Sequence, residues 1–134
     1  MREKIPAGIL GSTGIVGQKI LRLMHNHPWF KVVDLAASSN SAGLRYEDAI
    51  EGKCYMPEEI LTEYKNFVVR DARDFQSLRK DVVCVFSAMD LPQKYETRNL
   101  EFSYAANGYP IISTSSANRW TKDVPMIIPE INPD

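Results

Sequence analysis

The chain has 134 residues, 44% apolar and 25% charged, with a net charge of -1. This is an ordinary globular composition with material for one hydrophobic core but not two. The charge argues against a nucleic-acid binder. No apolar run nears the ~20 residues of a membrane-spanning helix, and Cys54 and Cys84 are too few for a disulfide framework. Met1-Arg2-Glu3-Lys4 leads into a run soon punctuated by Gly8 and Gly11, which is not a signal peptide, so a reducing, cytoplasmic setting is expected.

Short apolar runs alternate with longer amphipathic ones, the pattern of βαβ units. Ile5–Leu10 is predicted as the first strand. A helix over about 14–26 follows, with Val16, Ile20, Leu23 and Met24 on its core face, and Pro28 stops it. Trp29 and Phe30 are expected to pack in the core. Phe30–Ala37 is the second strand, closed by Ser38-Ser39-Asn40-Ser41. A helical turn is predicted over Tyr46–Ile50. Pro57 opens a further helix with Glu58 and Glu59 in its first turn. Asn66–Arg70 reads as a third strand, and Asp74 as the cap of a short helix to Leu78.

The continuous apolar run Val82–Ala88 predicts a buried central strand, with Cys84 as an inert thiol inside it. Pro92 opens a helix to about Asn107, with Tyr95, Phe102 and Tyr104 packing and Gly108 as a left-handed cap before Pro110. Ile111–Thr114 and Met126–Ile128 are predicted as the last two strands. The expected architecture is α/β, an open, mostly parallel sheet with helices on both faces. His25 and His27 are two residues apart and point to different sides, so they do not share a metal, and no metal site is expected.

The strongest local signal is Gly11-Ser12-Thr13-Gly14-Ile15-Val16-Gly17, between an apolar strand and an amphipathic helix. This is the context of a Rossmann-like dinucleotide turn, with spacing G-x-x-G-x-x-G. Gly11 permits the tight turn, Gly14 lets the backbone approach a pyrophosphate, and Gly17 lets the helix pack closely. The helix N-terminus supplies free N–H groups and partial positive charge. About 20 residues on, NAD sites carry an acid for the ribose 2′-hydroxyl. Here the second strand ends in Ser38-Ser39-Asn40-Ser41, with no carboxylate and with Arg45 beyond. That favours NADP over NAD.

The chain resembles the N-terminal part of the aspartate-semialdehyde dehydrogenase family, of the archaeal and fungal type. The blocks that carry the resemblance are Gly11 through Gln18, His27-Pro28-Trp29-Phe30, Ala36-Ala37-Ser38 with Ser41-Ala42-Gly43, Val85-Phe86-Ser87-Ala88, Ser115-Ser116-Ala117-Asn118-Arg119, and Asp123-Val124-Pro125 through Asp134. The resemblance implies NADPH-dependent reduction of aspartyl-4-phosphate to the semialdehyde, in amino-acid biosynthesis. In it a cysteine thiolate attacks the acyl phosphate, phosphate leaves, and hydride reduces the thioester.

It also implies that Thr13 to Val16 form the cofactor turn and that Ser38 and Ser41 meet the ribose phosphate. Ser87 and Ala88 line the cofactor cleft, and Arg119 binds the substrate phosphate. The family's nucleophilic cysteine and substrate domain find no match here, so residues 1–134 are expected to be an NADP-binding domain, inactive alone. An apolar face is then left exposed, and the whole enzyme is expected to be a homo-oligomer. Departures from the family are Met89-Asp90-Leu91-Pro92 for Leu-Pro, and Thr114 for asparagine. Two other readings stay open: a malonyl-CoA reductase, which shares this scaffold, and a non-catalytic nucleotide-sensing module.

Overall fold

Alternating apolar runs close into two packed layers around one sheet. The computed structural model describes residues 3–133; Met1, Arg2 and Asp134, which the sequence places at the chain ends, lie outside the described residues. The strands are β1 (Ile5–Leu10), β2 (Phe30–Ala37), β3 (Arg70–Asp71), β4 (Cys84–Ser87) and β5 (Ile111–Ser113). The helices are α1 (Ile15–Met24), α2 (Tyr46–Ala49), α3 (Glu58–Tyr64) and α4 (Lys94–Ala106), with a 3-10 turn at Phe75–Ser77. The strand order is β3-β2-β1-β4-β5, and every pairing within it is parallel.

This order places a reversal between β1 and β4. The chain builds β2 and β3 on one side of β1 and then crosses to build β4 and β5 on the other. In such sheets the carboxyl ends of the two strands at the reversal open a crevice for ligands. A bulge lies in the β1–β2 pairing: Ala7 pairs with Val32 but Gly8 with Asp34, so Val33 is left over. Because side chains alternate faces, the extra residue moves Asp34 to the same side as Val33.

Each face has its own core. One face gathers Ile9, Leu21, Met24, Val32, Leu35, Tyr46, Ile60 and Tyr64 under α1, α2 and α3. The other gathers Leu10, Ala36, Leu78, Val82, Val85, Leu100 and Tyr104 under α4 and the 3-10 turn. Burial pushes the Cys84 thiol above its ordinary pKa, which fits an inert core cysteine.

Several predicted elements differ from those observed. The buried face of α1 is Gly17, Gln18, Leu21 and Met24, and Val16 and Leu23 face outward. Contact between Gly17 and the preceding turn sets this rotation, which an apolar count does not register. Pro57 stands one residue before α3, at its N-cap. The stretch Asn66–Val69 mostly leaves the sheet because Val69 and Tyr46 pair with Leu44 and Phe67 across an antiparallel bridge. The Asp74 side chain does not cap; its carbonyl accepts from Ser77 instead. Trp29, Tyr95 and Phe102 are exposed, and only Phe30 and Tyr104 pack. The run Val82–Ala88 narrows to β4, and the central strand is β1.

Met126–Ile128 forms no strand. The Asn132 side chain accepts from Ile128 N–H (2.6 Å) and donates to the Met126 carbonyl (2.9 Å), occupying groups a neighbouring strand would use. Met126, Ile127, Ile128 and Ile131 stay exposed.

A buried ion pair joins the sheet to α4. Arg70 donates from Nη2 to Asp34 Oδ2 (3.0 Å), from Nε to both carboxylate oxygens, and from Nη1 to Tyr104 Oη (3.0 Å). Tyr104 Oη in turn donates to the Ala72 carbonyl (2.7 Å). Burial alone would lower the Arg70 pKa, but its hydrogen bonds and the Asp34 charge outweigh that and hold it above its ordinary value. Removing one member leaves the other buried and uncompensated. Arg70→Met is therefore expected to destabilise the fold by about 3–5 kcal/mol, and Asp34→Leu with Arg70→Met by much less. Urea unfolding of the two variants checks this; equal losses would show that the pair's charges are not what matters.

Candidate functional site

The glycine turn sits where β1 and β4 end side by side. Ala88 N–H donates to the Leu10 carbonyl (2.8 Å), which draws the two strand ends together. Gly11 has φ +74°, and a Cβ there would lie 2.7 Å from the Ala88 carbonyl carbon and oxygen. A Cβ on Gly17 would fall 2.0 Å from the Gly11 carbonyl oxygen. Both glycines are required by the protein's own backbone.

Gly14 is different. Its backbone is extended (φ -78°, ψ 174°), and an added Cβ would meet nothing nearer than 3.8 Å. Neither strain nor packing calls for glycine here, so the bare backbone is left for something outside the chain. Gly14 is also the N-cap of α1 and supplies no capping side chain, and the first turn carries no acid. The N–H groups of Ile15, Val16 and Gly17 have no intrahelical acceptor by helix geometry. The arrangement suits an anion, above all a phosphate, at the α1 N-terminus.

Three side chains hold this turn from behind. Ser12 Oγ donates to the Ala36 carbonyl (3.1 Å), and Ser12 N–H does the same (3.0 Å). Tyr46 Oη donates to the Ser12 carbonyl (2.6 Å), and burial keeps this phenol well above its ordinary pKa and protonated. Gln18 is fully buried; its Nε2 donates to the carbonyls of Thr13 (3.0 Å) and Lys53 (2.9 Å), and its Oε1 accepts from Tyr55 N–H (2.8 Å). Gln18 and Tyr46 thus hold the carbonyls of Thr13 and Ser12, while the amides of Ile15, Val16 and Gly17 have no acceptor among the described residues. Sequence reasoning missed both as site residues. The available signal was a glutamine at the start of an amphipathic helix, on the side that the glycines demand.

The other site residues named from the sequence are placed as follows. Ser38 is exposed just past β2, and its carbonyl accepts from Ser41 and Ala42 N–H. Ser41 is buried under that turn. Arg45 is committed elsewhere, to Glu47 (2.7 Å) and Asn66. Ser87 is buried: its Oγ accepts from Met89 N–H, and its carbonyl from Thr114 N–H (3.0 Å). It therefore shapes the end of β4 rather than presenting a hydroxyl, as Ser12 does at β1. Ala88 stands with its carbonyl against Gly11. Arg119 lies beyond β5 with an exposed side chain that forms no ion pair among the described residues, with Asp123 or otherwise. Among the described residues no group of three or more His, Cys, Asp or Glu is placed to hold a metal. His25 instead pairs with Glu63, and His27 Nδ1 accepts from Trp29 and Phe30 N–H.

The family model for "Semialdehyde dehydrogenase, NAD binding domain" matches residues 6–134. An aspartate-semialdehyde dehydrogenase from Archaeoglobus fulgidus is 35% identical over 127 residues, covering 95% of this chain and 35% of that protein. A malonyl CoA reductase (NADP) from Metallosphaera sedula is 35% identical over 135 residues, 99% of this chain and 35% of that protein. The crystal structure of aspartate semialdehyde dehydrogenase with NADP from Candida albicans matches with a TM-score of 0.81 and 33% identity, over 98% of this chain and 35% of that one. The chain spans about a third of the length of the curated relatives it matches.

The two kinds of glycine separate by mutation. Gly17→Ala is expected to cost about 1–3 kcal/mol or more, because backbone must move to admit the methyl group. Gly14→Ala is expected to stay within about 1 kcal/mol of the unaltered chain. Denaturant midpoints decide; a large loss for Gly14→Ala would mean that folding itself uses this glycine.

Proposed function

Because the chain belongs to the semialdehyde dehydrogenase NAD-binding domain family, we propose that residues 1–134 form the cofactor domain of an NADP-dependent aspartate-semialdehyde dehydrogenase. The carrying observation is Gly14, a glycine that neither strain nor packing calls for, at an N-terminus whose first amides have no other acceptor among the described residues. Thr13 to Val16 hold the cofactor pyrophosphate, with Gly11 and Gly17 shaping the turn. Ser38 and Ser41 receive the ribose 2′-phosphate, since the end of β2 offers no carboxylate to repel it. Ser87 and Ala88 form the wall of the cleft at the end of β4. When bound, NADPH supplies the hydride.

In the whole enzyme the reaction is reduction of an acyl phosphate, aspartyl-4-phosphate, with release of inorganic phosphate. Arg119 grips that phosphate through its planar pair of donors. The nucleophile and acid–base groups belong to the substrate domain, because Cys84 is buried in β4 and Cys54 stands in no nucleophile motif. The enzyme acts as a cytoplasmic homo-oligomer. The likeness to the Metallosphaera sedula protein favours one second reading, a reductase of malonyl-CoA on the same cofactor domain.

Titrating NADPH and NADH into the 134-residue chain tests the cofactor reading. NADPH is expected to bind more tightly. Ser38→Asp is expected to reverse the order by setting a negative charge against the 2′-phosphate. Gly14→Ala is expected to weaken both cofactors at least tenfold. Equal affinities in the unaltered chain would overturn the NADP assignment, and unchanged binding by Gly14→Ala would overturn the turn's role.

A further inference from the structure

The loop after β5 has almost no regular backbone pairing, yet it is held at many points. Its anchor is Glu101 on α4, only 3% exposed. Ser113 Oγ donates to Glu101 Oε2 (2.5 Å), and Asn118 Nδ2 donates to Glu101 Oε1 (3.0 Å). Ser113 Oγ also accepts from Ser115 N–H (3.0 Å), and Ser115 Oγ accepts from Ala117 N–H (3.1 Å). Thr121 Oγ1 donates to Asn118 Oδ1 (3.0 Å). Arg98, one turn before Glu101, donates from Nε to the Ala117 carbonyl (3.1 Å). The chain of bonds running back through Ser115 and Ser113 and the one running back through Asn118 meet at a single carboxylate.

A buried carboxylate is costly unless it is satisfied, and among the described residues Glu101 forms no ion pair. Its negative charge is balanced by hydrogen bonds alone. A neutral amide of the same size binds more weakly: its oxygen can accept from Asn118, but its nitrogen can only donate to Ser113 Oγ, which already accepts from Ser115 N–H, and both bonds lose their charge assistance. Plain packing between α4 and the loop would not demand this chemistry. Accepting from the end of β5 and from the loop at once does.

We propose that Glu101 is a positioning residue: its carboxylate ties Asn118 of the 114–118 loop to Ser113 at the end of β5 and so sets where Arg119, the next residue, stands. Arg119 has no ion pair of its own among the described residues to hold it, and its N–H is tied only to the Ser116 carbonyl (3.2 Å) within the same loop. Its place therefore derives from the tethers of this segment, of which Glu101 gathers two and Arg98 adds a third at the Ala117 carbonyl. The functional consequence rests on the phosphate role proposed for Arg119: a guanidinium already in place binds phosphate without first being ordered.

Three variants test this: Glu101→Gln, Glu101→Gln with Asn118→Asp, and Arg119→Lys. The double variant keeps the total charge and reverses the bond, since an amide at position 101 then donates to a carboxylate at position 118. In the enzyme that joins this domain to its substrate domain, Glu101→Gln is expected to raise the KM for inorganic phosphate about tenfold, as for loss of one charge-assisted bond. The KM for NADP is expected to stay within about twofold, and the double variant to recover most of the loss. In the 134-residue chain, Glu101→Gln is expected to speed amide hydrogen exchange at residues 115–119 while α4 stays protected, with protection restored in the double variant. Glu101 is not a positioning residue if the loop stays protected in Glu101→Gln, if α4 is lost with it, or if the double variant recovers nothing. Arg119→Lys separates the two readings. If it leaves the phosphate KM unchanged, the phosphate role of Arg119 falls, and the loop anchor is judged by hydrogen exchange alone.

Discussion

Everything at the candidate site depends on how closely two strand ends approach. The Ala88 amide binds the Leu10 carbonyl, and this leaves no room for a side chain on Gly11. The turn must then double back so tightly that Gly17 of α1 lies against the Gly11 carbonyl. That contact fixes the rotation of α1 and aims its N-terminus across the crevice between β1 and β4. A methyl group at either glycine would push the helix away from the strand ends, and its free amides with it.

Behind the turn, polar groups are buried only where each has a partner. Ser12, Tyr46 and Gln18 take up the inward carbonyls, and no described buried side-chain nitrogen or oxygen is left without a hydrogen bond. In front of it the pattern is reversed, since the amides of the first helical turn have no acceptor among the described residues. An inward side fully satisfied and an outward side left open is the physical form of a preorganised anion site. Ser12 and Ser87 belong to the satisfied side, which is why their hydroxyls serve the scaffold.

The same economy appears with charge. The acid at Asp34 is matched by Arg70 and tied through Tyr104 to α4, so the ion pair fastens a helix to the sheet. Glu101 on the same helix is matched by neutral donors from the end of β5 and the loop after it, and it fastens that loop instead. α4 thus connects the core of one sheet face to the segment that carries Arg119. The chain is 33–35% identical to relatives of which it covers 35%.

Composition, the glycine spacing and the run of motifs determined a good deal by themselves. The strands β1, β2, β4 and β5, the βαβ order, the turn between β1 and α1 and the acid-free end of β2 are legible, because they follow from local periodicity and residue type, whereas the third strand was read at Asn66–Arg70 and stands at Arg70–Asp71. What local pattern does not carry is which way an element faces. The buried side of α1 was decided by the Gly17 contact, not by counting Val16 and Leu23. The fate of Met126–Ile128 was decided by Asn132 and the lack of a neighbouring strand, since a strand exists only with a partner. The roles of Gln18, Tyr46 and Glu101 arise from partners 5 to 37, 34, and 12 to 17 residues away. Only the tertiary structure decides them, because a buried polar side chain takes its meaning from the group it meets.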